Sequence, residues 1–360
     1  MLRALDAGLR GRGVDSAVLS WLPAEVLAAT GSPFRWVRAK VAEARRRETA
    51  ARAMADRLRE DLRAQPDLVV VLEPGSLSVA RHLVGAPRWG IHVHRTPDLL
   101  LRPWRHLMGE QIPALLRPVV GLRMLWIGRQ TRRLLGAAPF VVSLTPSHTR
   151  VLTPLQRHVE EIPNPVAWPM SPVRPAPGVD GVVTIGYVGR LSFEKGPDVL
   201  IEALGRLDVS TGPLRAWFAG TGPEETSLRS RVAELGLDDV SFLGWVADAR
   251  GLLEQVDVLV LPSRAEAVPL VLVEALASGC VVVAADAGGG VRDVLQDGRL
   301  GDVVPAENPS ALASAIGSAV ERARHGRHAD PEVVARLVEH HRPARVLDTW
   351  VEFLQRAVRG

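Results

Sequence analysis

V-V-T-I-G-Y-V-G-R-L-S-F-E-K-G-P-D-V-L, residues 182–200, passes from a continuous apolar run through a loop flanked by glycines into a helical pattern. The run Val182 to Val188 has the length and β-branched content of a strand buried on both faces. Gly189 lets the backbone turn sharply, and Pro197 opens a helix at a position where its missing N–H is no loss. Strand, loop and helix in that order are the repeating step of a doubly wound parallel sheet, and the unpaired N–H groups of the helix end favour an anion. Arg190 and Lys195 add two cations at the same mouth. A guanidinium and an ammonium converging there suit a diphosphate, whose charge has to be neutralised before it can depart. Taken singly, either residue reads as a solvated surface charge.

Downstream, the alternation continues. Arg215 to Ala219, Val240 to Leu243, Val256 to Leu261 and Cys280 to Ala284 read as strands, with amphipathic helices at Pro197 to Leu207 and Pro269 to Ala277. In P-S-R-A-E-A-V-P-L-V-L-V-E-A-L-A-S-G, Pro262 to Gly279, two carboxylates lie eight positions apart. Glu266 precedes the helix that begins near Pro269, and Glu274 sits inside it among Leu270, Val271, Leu272 and Val273. An unpaired carboxylate in so apolar a helix is costly, so Glu274 calls for hydrogen-bond donors such as ligand hydroxyls, or for a buried ion pair.

Upstream, Pro163 to Pro177 holds six prolines in 15 residues, which no helix or central strand accommodates, and reads as an interdomain linker. Before it, Ala17 to Leu19, Asp67 to Leu72, Trp89 to His94 and Phe140 to Leu144 read as buried strands of a second parallel sheet. Two doubly wound domains facing each other across a cleft follow, with ligands beyond the carboxyl ends of the strands. The strand I-H-V-H, Ile91 to His94, would aim His94 into that cleft, although a lone histidine is often a satisfied structural one.

The composition fits a soluble globular chain of 360 residues, with 47% hydrophobic and 23% charged residues. A single cysteine, Cys280, excludes a disulfide framework and cysteine-rich metal sites. No apolar run reaches membrane-span length, and no secretory signal pattern opens the chain, so a cytoplasmic location, with peripheral attachment to the inner face of a membrane, is expected. Charge is uneven: residues 1–166 hold 25 Lys and Arg against 14 Asp and Glu, and residues 167–360 hold 19 against 26. The basic half therefore meets something anionic. Arg35 to Arg63 and Arg102 to Leu135 are basic and amphipathic, the latter carrying Trp104 and Trp126, and would seat the domain on an anionic bilayer. Each taken alone is as readily a solvated face. A nucleic-acid partner is not expected, since only 4% of residues are aromatic and no recognition motif accompanies the charge.

The chain resembles the retaining glycosyltransferases of family 4, whose two Rossmann-like domains form the α/β architecture called GT-B. The resemblance covers nearly all of residues 10–360 and rests on G-R-L-S-F-E-K-G at Gly189 to Gly196, F-A-G-T-G-P at Phe218 to Pro223, F-L-G-W-V at Phe242 to Val246, the Glu266 and Glu274 pair, and G-G-V-R-D at Gly289 to Asp293. It implies that Arg190 and Lys195, beside Gly189, hold the donor diphosphate, that Glu266 contacts the donor sugar and that Glu274 binds the nucleotide ribose. It further implies that the backbone near Val246 borders the base, that Leu270 and Val271 offer amides to the phosphates, and that His94 stands near the donor sugar. The implied catalytic set is Glu266, His94, Arg190 and Lys195.

The implied reaction moves a sugar from a nucleotide-diphosphate sugar, a substrate rather than a cofactor, to an acceptor hydroxyl of a cell-envelope glycan, polysaccharide or glycolipid. No metal is expected, because no D-x-D motif occurs. The corresponding domains are residues 1–166 for the acceptor, residues 167–330 for the nucleotide sugar, and residues 331–360 as helices packing back toward the first domain. Ala267 stands where the family has glycine, and Asp293 replaces a more usual glutamate. The first strand and glycine-rich loop of the family are missing ahead of the opening helical pattern, which motivates the expectation that the functional protein begins upstream of Met1. It also motivates the alternative of a non-catalytic or truncated nucleotide-sugar-binding relative.

Overall fold

The computed structural model describes residues 51–60, 62–64, 70–72, 77–93, 117–170, 181–208 and 212–359. The expected strand Ala17 to Leu19 and the candidate residue His94 lie outside them. The chain divides into two units, one running up to Ile162 and taking in Val346–Gly360, the other Pro163–Arg345.

In the first unit β1 (Val70–Leu72), α1 (Leu77–Leu83), β2 (Trp89–His92), α2 (Arg117–Ala137), β3 (Phe140–Ser143), α3 (Pro146–Leu152) and β4 (Val159–Glu161) alternate along the chain. The strands pair in parallel in the order β1-β2-β3-β4. Successive residues of β3 feed opposite faces, as a strand's period of two requires. Val141 joins a cluster with Val79, Leu83, Trp89 and Ile91, whereas Phe140 and Val142 join one with Ile162, Val346, Trp350 and Phe353. Phe140 meets Phe353 edge-on, with ring centroids 5.0 Å apart. Strand β4 was not anticipated. Its sequence V-E-E is only half-buried on the sheet edge, so it carries no apolar run to read.

In the second unit β5 (Val183–Val188), α4 (Pro197–Leu204), β6 (Leu214–Ala219), α5 (Glu225–Glu234), β7 (Val240–Gly244), α6 (Ala249–Leu253), β8 (Val258–Leu261), α7 (Leu270–Ala277), β9 (Val281–Ala285), α8 (Gly289–Leu295), β10 (Asp302–Val304), α9 (Pro309–Arg324) and α10 (Pro331–His340) follow in turn. All pairings are parallel, in the order β10-β9-β8-β5-β6-β7. This is the order of a dinucleotide-binding fold, and its direction reverses between β5 and β8. Helices cover both faces. Val258, Val260, Val281 and Val283 pack with α4 and α9, while Leu259, Leu261, Val282 and Ala284 pack with α7, α8 and α10.

Two boundaries differ from the sequence reading. The proline-rich segment is not a free linker over its first part, because Pro163 to Met170 belong to the second unit. Prolines remove donors but leave carbonyls and the intervening N–H groups. Val166 is buried and its N–H donates to the His341 carbonyl at 2.8 Å, His341 Nδ1 donates to the Asn164 carbonyl at 2.8 Å, and Trp168 Nε1 donates to Ser278 Oγ at 2.9 Å. The C-terminal segment also splits. Helix α10 buries Val333, Val334 and Leu337 in the second unit, and only from Val346 onward does α11 (Pro343–Arg359) belong to the first. No helix among the described residues is long and apolar enough to cross a membrane.

Candidate functional site

A cavity of about 300 Å³ opens where the strand order reverses, at the carboxyl ends of β5 and β8. From the β5 side it is lined by Tyr187, Val188, Gly189 and Lys195; from the β8 side, by Leu261, Ser263, Glu266 and the run Val268 to Val271. The two loops are held together at Gly196. Its φ is +63°, and a Cβ there would lie 2.2 Å from the Pro262 carbonyl oxygen, so only glycine permits this approach.

Glu266 is almost fully buried, its side chain 8% exposed, and its Oε1 accepts from Lys195 Nζ at 2.7 Å and from Ser263 Oγ at 2.8 Å. Its backbone N–H is fixed on the Ala287 carbonyl at 3.0 Å. Lys195, 30% exposed, ends a short 3₁₀ turn, Phe193–Lys195, just before α4. The first-turn residues Leu270 and Val271 of α7 complete the wall, so unpaired helix amides, an ammonium and a buried carboxylate share one cavity. Tyr187 adds a hydroxyl that donates to the Arg190 carbonyl at 2.7 Å; burial, reinforced by the Glu266 charge, pushes its phenol well up, so it remains a donor.

Other expected residues are placed differently. Arg190 is exposed on the loop after Gly189 and is absent from the cavity wall. Val246 lies half-buried beyond β7, next to a Trp245 that is 79% exposed, also off that wall. Ala267 does not adopt a positive φ, so it brings no backbone strain, and the loop instead lays its carbonyl against Gly290, where a Cβ would fall 1.6 Å from it.

Glu274 lies one turn into α7 and is half-buried, with no hydrogen-bond or ion-pair partner among the described residues; burial alone raises its carboxyl pKa. The folded state therefore penalises the charged form. That penalty is absent below the ordinary carboxylate range and is present in full once pH rises past the raised value. Glu274→Gln should accordingly raise the Tm of the ligand-free protein at pH 7, with the gain shrinking as pH falls through the acid range. Tm profiles of both proteins from pH 3 to 8 test this, and a gain independent of pH would contradict it.

Sequence reading passed over Ser263, Tyr187 and above all Arg264. The Arg264 side chain, only 15% exposed, makes a two-pronged pair with Asp198, at 2.8 and 2.6 Å, and donates to the Phe193 carbonyl at 2.7 Å and to Glu307 at 3.0 Å. A serine and an arginine just ahead of Glu266 in P-S-R-A-E were the available signal, but an arginine on a loop is indistinguishable by pattern from a solvated one.

Comparison with solved structures gives the class of fold. Over 99% of its length the chain matches the sucrose-phosphate synthase of Thermosynechococcus elongatus, 92% of which is covered, with a TM-score of 0.70 at 17% identity. It also matches Anabaena HepE, crystallised in complex with UDP, with a TM-score of 0.61 at 20% identity over 85% of this chain and 82% of that one. The fold is that of the GT-B glycosyltransferases, with two Rossmann-like domains. Residues 182–322, from β5 through most of α9, match the family model described as glycosyl transferases group 1. Among curated relatives, the alpha-D-kanosaminyltransferase of Streptomyces kanamyceticus is 30% identical over 169 residues, 46% of this chain, and the phosphatidyl-myo-inositol mannosyltransferase of Mycobacterium leprae is 36% identical over 164 residues, 43% of this chain. The chain spans 42% of the length of each of these relatives.

Proposed function

We propose that the protein is a retaining, metal-independent glycosyltransferase that moves a sugar from a nucleotide-diphosphate sugar to the hydroxyl of a glycan or lipid-linked acceptor. The observation that carries this reading is the Lys195–Glu266 pair on the wall of a cavity at the strand-order reversal, beside the first turn of α7. Lys195 and the amides of Leu270 and Val271 receive the diphosphate, whose developing charge they neutralise as the glycosidic bond breaks. Arg190, exposed on the loop after Gly189, supports the same charge from outside the cavity. Glu266 orients the sugar hydroxyls, Glu274 accepts from the ribose hydroxyls, and the backbone near Val246 borders the base. The acceptor attacks on the face the diphosphate leaves, and a role for His94 at the donor sugar is proposed from the sequence motif alone. Metal independence rests on the absence of a D-x-D motif from the sequence.

Release of nucleoside diphosphate from a panel of UDP-, GDP- and ADP-sugars, with and without glycan and lipid acceptors, tests the activity. Acceptor-dependent release that persists in EDTA is expected. Donor binding with no turnover for any acceptor would favour the non-catalytic alternative.

The acceptor domain is proposed to work against an anionic membrane surface. On α2, Leu125 and Trp126 are 58% and 57% exposed, and Arg129, Arg132 and Arg133 are exposed on the same helix. Such a face gains both apolar burial and attraction to acidic headgroups. The protein should float with vesicles rich in phosphatidylglycerol at low salt, and binding should fall as ionic strength rises. Failure to co-migrate at low salt would point to an acceptor free in solution.

A further inference from the structure

We infer that Arg264 is a positioning residue for the donor site: without touching the cavity, it sets where Lys195 presents its ammonium. The inference rests on the donor-site reading above. The turn Phe193–Lys195 is short, carries exposed Phe193 and Glu194, and packs little apolar surface of its own, so something else has to fix it. Arg264 does so from three directions. Its Nη1 donates to the Phe193 carbonyl and its guanidinium carbon lies 3.9 Å from the centre of the Phe193 ring, while its backbone N–H donates to the Glu194 carbonyl at 2.9 Å. The same guanidinium grips Asp198 in the first turn of α4, so both ends of the Lys195 loop are fastened to one side chain.

The anchor is itself braced. Glu307, at φ +56° in the turn before α9, supplies Arg264 Nε with a carboxylate at 3.0 Å. Arg264 lies two residues ahead of Glu266 and is absent from the cavity wall. One side chain thus couples the loop bearing the cation to the loop bearing the buried carboxylate. A planar fork with donors in several directions is required for this, and the point charge of a lysine cannot replace it. Displacing a binding group by about an ångström can cost up to about 10²-fold in rate.

The test is a double-mutant cycle read by calorimetry. UDP, GDP and ADP are titrated into the full chain, and the tightest binder is carried through Arg264→Met, Arg264→Lys, Lys195→Ala and Arg264→Met with Lys195→Ala. Arg264→Met should weaken binding about tenfold or more and Arg264→Lys should restore it only in part, whereas in the Lys195→Ala background Arg264→Met should change almost nothing, because the group it positions is gone. Amide exchange at Lys195 and Gly196 should speed up in Arg264→Met and Arg264→Lys alike. If Arg264→Met does not fold, the cycle is run with Arg264→Lys. Losses that simply add in the double variant, or unchanged binding in either single Arg264 variant, overturn this proposal alone. No binding of any of the three nucleotides to the parent chain, or binding indifferent to Lys195→Ala, overturns the donor-site reading and this proposal with it.

Discussion

Replacing Lys195 by alanine is expected to lower kcat/KM for sugar transfer by about 10² to 10³-fold, equivalent to about 3–4 kcal/mol of lost transition-state stabilisation. Two effects combine. On the proposed donor reading the departing diphosphate loses the Lys195 ammonium, and Glu266, buried with its Oε1 on Lys195 Nζ, loses that charged partner while keeping the Ser263 hydroxyl. Folding should suffer far less than turnover, because the 30% exposed lysine contributes little packing. Arg190→Ala is the contrasting case. Its side chain is exposed and off the cavity wall, so its effect should be smaller than that of Lys195→Ala and should fade as salt is added. Steady-state kinetics for both variants, with Tm as the control, decide the matter; equal losses, or none for Lys195→Ala, would refute the assignment of the diphosphate to Lys195.

Gly196→Ala should damage both the fold and the site. The added methyl has to accept a left-handed backbone, which costs about 1–2 kcal/mol, and it has to displace the Pro262 carbonyl, now 2.2 Å from the Cβ position, at roughly 1–3 kcal/mol more. Since Pro262 begins the segment that carries Ser263, Arg264 and Glu266, relief of the clash separates the loop bearing Lys195 from the one bearing its partner. A fall in stability of about 2–5 kcal/mol is expected in urea unfolding followed at the second unit, with nucleotide affinity lost even where the protein remains folded. Retention of both would mean that the two loops are not coupled through this contact.

How much of this could be read beforehand depended on the kind of signal each residue leaves. Central strands such as β5 and β8 are buried on both faces and announce themselves as apolar runs, and the turns after them are marked by Gly189, Pro197 and Pro262. The edge strands β4 and β10 leave no such mark: they are half-buried and only three residues long, and neither was anticipated. Within the site, the pairing of Lys195 with Glu266 joins residues 71 positions apart and is invisible to any local pattern. Motif spacing placed both residues near one ligand but said nothing of their contact. Arg264 was missed for the same reason, because its partners Phe193, Asp198 and Glu307 come from separate elements. The proline-rich stretch misled in the other direction: its composition marked a chain without regular structure, yet Val166 and Trp168 tie its first part into the second unit.

The packing of Trp350 and Phe353 against Phe140 and Val142 has a bearing on how the chain is made. A ribosome releases residues in order at about 5–20 per second, and domains tend to fold as they emerge. The second unit is continuous in sequence and completes its sheet as soon as its last strand and helices are out. The first cannot, since one face of its sheet waits for a helix that is synthesised after the whole of the second unit. During that interval Phe140, Val142 and Ile162 present an uncovered apolar surface, the kind of surface that chaperones hold and that aggregation exploits. A stop codon or bulky fusion within α11 would therefore be felt far upstream, as a failure of a sheet translated before the whole second unit.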